Sequence, residues 1–209
     1  MTAKRAVGRP RQFDDESERR LIFDAAYAAM RRHGTELTIA DILSVAGVST
    51  RSFYRHFESK DALLCAMYLR DAEWAAARLS KRLADATSPT EAVAWWIDEI
   101  FSFMRVARRA ERVSVLGSIV GGRAEGAEVA AATARAMLID SLQSAIVTGV
   151  EDGSFRCATP HIAAELIAAA VMHAAGLAMP YRTDLPHDQE ATTVFCLQAL
   201  GVSSSSFAP

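Results

Sequence analysis

Apolar positions recur every three to four residues along almost the whole chain, and nowhere do they alternate as a half-buried strand requires. Ile22, Ala25, Ala26, Ala29 and Met30 form the first stripe. They predict a helix that opens at the acidic run "DDESE" and ends at Gly34. A short helix is predicted from Thr38 to Val45, with Thr38 as its N-cap. After a break at Gly47, a second short helix is predicted from Thr50 to His56, capped by Ser49. A long helix then covers Lys60 to Ala84 and stops before Ser88-Pro89. Val93, Trp96, Ile97, Ile100, Phe101 and Met104 mark the next one. Further helices are predicted near Arg112 to Val120, over Val129 to Val150, His161 to Met179 and His187 to Leu200, with "EDGSF" as a turn. The pattern predicts an all-α fold of about nine helices.

Composition and charge sharpen this. Apolar residues make up 51% of the 209, enough for a sizeable core. The net charge of −2 excludes attraction of the whole chain to a polyanion, but it is unevenly spread. Residues 1–60 hold 11 Lys+Arg against 8 Asp+Glu, or +3, and the remainder holds 12 against 17, or −5. We expect a flexible basic arm over residues 1–12, carrying Lys4, Arg5, Arg9 and Arg11, a small basic helical domain over 13–62 and an acidic helical domain over 63–209. The arm is either merely solvated or reaches a duplex beside the motif described next. Cys65, Cys157 and Cys196 are odd in number and lack C-x-x-C spacing, so we read them as reduced thiols of a cytoplasmic protein. No apolar leader opens the chain, and Glu165 and His173 interrupt the most apolar helix, so no membrane segment is expected.

The stretch "VSTRSFYRHFESKDAL" is the most informative. Two short helices around a Gly turn, the second rich in small polar and basic groups, describe a helix-turn-helix whose second helix enters a DNA major groove. Thr50, Arg51 and Ser52 are slim donors placed to approach base edges. Tyr54, Arg55 and His56 supply hydroxyl and cations for the phosphate walls. Lys60 stands at the start of the next helix, where backbone amides already favour phosphate. Phe53 and Phe57, four apart, anchor the helix to the core.

The segments "IFDAAYAAMRRHG", "TIADILSVAGVS" and "FYRHFESKDAL" resemble, continuously from about Leu21 to Leu64, the N-terminal domain of the tetracycline-repressor (TetR) family. The resemblance implies an all-helical homodimer, a variable C-terminal domain that holds an effector pocket, and a repressor that leaves DNA when a small molecule binds. It also implies that Thr38 caps the second helix at a phosphate. Two positions depart from the family pattern: Leu43 stands where Ala is usual, and Ala40 where a longer polar side chain is common.

Past about residue 85 only physical reading applies. The helix from Ile162 is apolar nearly all round and needs cover on two faces, which a partner subunit or the chain itself could supply. We expect a dimer interface at Leu166, Leu177, Val194 and Leu197, and an apolar effector pocket among Trp95, Trp96, Phe101, Met104, Met137, Met172 and His173. The expected partners are double-stranded DNA with an inverted repeat, a second copy of the chain and an unidentified small molecule. The alternative is an effector-independent DNA-binding or architectural protein. "GSIVGGRAEG" lacks the Lys-Ser/Thr of a phosphate loop, and His161 and Glu165 lack a third ligand, so we expect no enzyme, cofactor or metal.

Overall fold

The computed structural model describes residues 14–105, 116, 126–176 and 189–203, with the backbone alone for Thr35 and Met104. The basic arm, most of the expected helix near Arg112 to Val120, Leu177 and His187 lie outside them. Leu116 is helical and buried. Among the described residues there are eight α-helices, one short 3₁₀ turn and no strand. The chain divides into two compact units between Leu63 and Leu64.

In the first unit, α1 (Asp15–His33) starts where Asp14 accepts the Ser17 amide at 2.7 Å, and stops at Gly34, whose φ is 54°. Acids fill its first turn and Arg31, Arg32 and His33 its last, as the helix dipole favours. It packs on α2 (Ile39–Ala46), and α3 (Thr50–His56) lies beside it. Phe23 and Phe57 meet edge to face at 5.4 Å, with Phe53 5.9 Å from Phe57. Arg19 spreads its guanidinium over the Phe23 and Phe57 rings. Leu37, Ile42 and Leu63 complete this core. The helix α4 (Lys60–Leu83) begins here, where Ser59 accepts the Ala62 amide at 3.0 Å, and runs across the division.

The second unit continues with α5 (Pro89–Arg105), α6 (Ala127–Glu151), α7 (Pro160–Ala174) and α8 (Gln189–Ala199). Val93, Trp96, Ile97, Ile100 and Phe101 of α5 pack with Leu142 and Ile146 of α6, Ile167 and Val171 of α7, and Cys196 and Leu197 of α8. Burial pushes the Cys196 thiol up to about 11, well out of reactive range. Glu99 is the buried acid of this unit, at 1% exposure. Its carboxylate bonds Arg78 and Arg82 of α4, the latter at 2.9 Å, so the charge is paired. The helix expected to run to Met179 ends earlier, because Gly176 takes a φ of 78° and returns its amide to the His173 carbonyl. No helix among the described residues is long and apolar enough to cross a membrane.

Candidate nucleic-acid interface

The local chemistry of α2 and α3 follows from their caps. Thr38 accepts the Asp41 amide through Oγ1 at 3.2 Å, and Asp41 accepts both the Thr38 amide and hydroxyl, a closed capping box. Those hydrogen bonds from Thr38 hold the Asp41 carboxyl below its usual range. Gly47 then turns the chain at φ 65°, a conformation costly for residues with a Cβ. Ser49 caps α3 by accepting the Ser52 amide at 3.1 Å.

Over its seven residues α3 presents three faces. Phe53 is buried in the core together with Phe57 just beyond the helix end. Thr50, Arg51 and Tyr54 are exposed, Tyr54 at 53%, with its ring edge to face against Phe53 at 5.4 Å. Ser52, Arg55 and His56, spaced i, i+3 and i+4, share the third face, and Arg55 and His56 meet one carboxylate of α1, Glu18. Arg55 donates to Glu18 through Nη2, with its Nε 3.7 Å from Asp15. His56 Nε2 lies 2.8 Å from Glu18 Oε2. Glu18 is buried and its carboxyl is held down at about 2. The His56 hydrogen bond is the largest cause; burial opposes it, and Ser52 and Arg55 reinforce it. An ionised carboxylate only accepts, so the His56 Nε2 carries the proton.

Arg55 remains 54% exposed in its side chain while bonded to Glu18, so of the two cations expected at phosphate only His56 is turned inward. The His56 side chain is 7% exposed, turned inward to satisfy a buried anion. Lys60 likewise donates to the Leu37 carbonyl at 3.0 Å, although its stem remains half-exposed at the α4 start. Thr38 and Ala40 are exposed at the opening of α2, and Leu43 is half-buried. Asp15, Glu18 and His56 bring ligand atoms within 4.8 Å of one another. Arg55 bonds both acids, so an added metal would have to displace a cation that belongs to the fold.

Glu18 escaped the sequence reading, which took the first turn of α1 only as a cap. The signal was present: Glu18, Ile22, Ala25 and Ala29 share one helical stripe, so an acid stands in phase with buried positions.

Residues 22–67, spanning α2, the Gly turn and α3, match the family model for bacterial regulatory proteins of the tetR family. Its N-terminal segment is thus similar to the DNA-binding domain of that family. Solved TetR-family structures share its fold along most of its length. RolR in complex with resorcinol is 19% identical over 92% of this chain and 91% of its own, with a TM-score of 0.65. FadR from Bacillus subtilis in complex with stearoyl-CoA is 16% identical, over 87% and 96%, with a TM-score of 0.69. Reduced NemR of E. coli is 20% identical, over 86% and 94%, with a TM-score of 0.68. No curated protein sequence matches the chain.

In the second unit the expected pocket residues do not share one wall. Trp96 is fully buried and donates its indole N–H to the Leu138 carbonyl at 3.0 Å, and Phe101 and Met172 pack in the same core. Trp95, one residue before Trp96 and so turned by about 100°, lies beneath the Arg82 guanidinium at 5.7 Å. His173 is half-buried near the end of α7, and the Met104 side chain lies outside the described residues. Met137 lines a cleft of about 630 Å³ with Ser80, Thr87, Asp140, Ser144 and Thr148. Of the expected interface, Leu166 is 66% exposed and Val194 half-buried. Leu197 differs: it faces the core of its own chain.

Proposed function

We propose that the protein binds an inverted-repeat duplex as a homodimer, and that Thr50 and Arg51 of α3 read base edges, with Ser52 at the margin of that surface. Tyr54, Thr38 and Lys60 hold the phosphates. The observation that carries this is the exposed face of Thr50, Arg51 and Tyr54 on a helix whose other faces are seated against α1 and the core. Regulation is by repression, with release when a small, largely apolar molecule enters the α5–α7 core near Trp96, Phe101 and Met172. Two solved relatives of the same fold carry ligands, resorcinol in RolR and stearoyl-CoA in FadR, which supports an effector-binding domain. The unbroken α4 offers a route from that domain to the recognition helices. A ligand shifts such an equilibrium only by its difference in affinity between two states, about 5.5 kcal/mol for a swing from 1:99 to 99:1.

Selection of binding sites from random duplexes, followed by gel shifts, tests the reading. A palindromic consensus is expected, and Arg51→Ala should cost about 1–3 kcal/mol at that site while relaxing its sequence preference. No enrichment, or no loss with Arg51→Ala, sinks the base-reading role. A compound that stabilises the protein yet leaves operator affinity unchanged sinks the effector switch.

A further inference from the structure

We infer that Glu18 is a positioning residue that sets the specificity of DNA binding. It seats the recognition helix and also withholds Arg55 from the phosphate backbone. The inference rests on the DNA-binding reading above and deepens it. A seven-residue helix cannot hold itself in water, so its orientation comes from what its sides touch. One side of α3 is fixed by Phe53 and Phe57, apolar contacts that tolerate sliding. Another side is fixed by directional bonds: Arg55 and His56 converge on the single buried carboxylate of Glu18. These two donors occupy the last turn of α3, so the carboxylate pins the end from which the exposed face of Thr50, Arg51 and Tyr54 takes its angle.

The second consequence is electrostatic. Arg55 stands next to Tyr54 on a DNA-reading helix, where a free guanidinium would bind any phosphate. Here it bonds Glu18 and faces Asp15 at 3.7 Å, and this local pair of acids offsets its charge. Phosphate contacts add affinity without sequence information, while base contacts distinguish sites. Neutralising one nonspecific cation while fixing the angle of the base-reading face raises the ratio between cognate and random binding from both ends.

The experiment compares wild type, Glu18→Gln, Arg55→Ala and the double variant by fluorescence anisotropy. A selected cognate duplex and a scrambled duplex are each titrated across a salt series, with thermal melts to confirm folding. Glu18→Gln should weaken cognate binding about tenfold and tighten scrambled binding. The scrambled salt slope should steepen by about 0.9 for each Arg55 recruited, about 1.8 for a dimer. Arg55→Ala alone should leave the scrambled slope unchanged, and in the double variant it should cancel the steepening, a coupling that loss of packing alone would not give. The inference is overturned if Glu18→Gln leaves both affinities and the slope as in wild type. It is equally overturned if Arg55→Ala alone flattens the scrambled slope, and that arm decides the matter should Glu18→Gln fail to fold. Absence of binding by wild type to any selected duplex would instead defeat the DNA-binding reading itself.

Discussion

Glu18 also makes the N-terminal domain sensitive to acid, and the sign can be worked out. Its carboxyl sits at about 2 when folded, against 4.5 for the ordinary side chain, chiefly because His56 donates to the ionised form. The unfolded chain therefore binds more protons between those values. Stability from this site is fully present above about pH 4.5 and is lost as pH falls through about 2. Circular-dichroism melts should show a falling midpoint from pH 5 to pH 3, and Glu18→Gln should be flatter across that interval; equal slopes would mean the site carries no linked protons. At this scale the sequence displayed the exposed trio well, since Thr50, Arg51 and Tyr54 need only local helix geometry to be placed outward. The inward turn of His56 and the pairing of Arg55 with Glu18 were hidden. It depends on an acid 37 and 38 residues earlier, and no periodicity within α3 reports that partner.

Elements were more legible than their companions. Thr38, Gly47 and Ser49 predict the α2–turn–α3 unit because caps and a left-handed turn are decided by a residue's own side chain or lack of one. Thr38→Ala should open the capping box and cost about 1 kcal/mol in urea melts; no change would mean Asp41 caps unaided. The early stop of α7 was missed because the apolar pattern continues past Gly176, whereas the backbone there follows its positive φ. Gly149 was read only as part of a helix, yet the Phe155 ring packs closely against it. A Cβ at this position would lie 2.2 Å from the Phe155 ring, which the Asp152–Ser154 turn folds back onto α6. Gly149→Ala should cost about 1–3 kcal/mol through overpacking, despite the better helix propensity of Ala. The companion Phe155→Leu should recover part of that loss in the double variant. Additive losses would show that the ring is not what the methyl meets.

Assembly is the property of the whole molecule least visible in one chain, because an interface and a solvated face can carry the same residues. The C-terminal helices nevertheless leave large apolar side chains uncovered. Leu166 is 66% exposed, Ile162 47% and Phe195 63%, while the inner faces of α7 and α8 are already filled by Ile167, Val171, Cys196 and Leu197. Leu197 thus leaves the expected dimer set, and Ile162 and Phe195 join Leu166 as the residues that would gain most from a partner. The two-fold operator proposed above would explain why such a face matters for DNA. Two recognition helices reach successive major grooves only when held about 34–36 Å apart, or a multiple of one turn. Linking two weak half-site contacts can raise affinity by about 10²–10⁴ without a new contact. Leu166→Arg tests this cleanly. The position is open to solvent within one chain, so the folded monomer should keep its melting temperature to within a few degrees, while burial of an unpaired guanidinium opposes the dimer. Sedimentation at micromolar concentration should give a dimer for wild type and a monomer for the variant. Affinity for the full palindrome should fall by about 10²-fold or more, toward that of a single half-site. A variant that stays dimeric and binds as wild type would place the interface elsewhere, and a wild-type monomer that binds the palindrome tightly would remove the need for one.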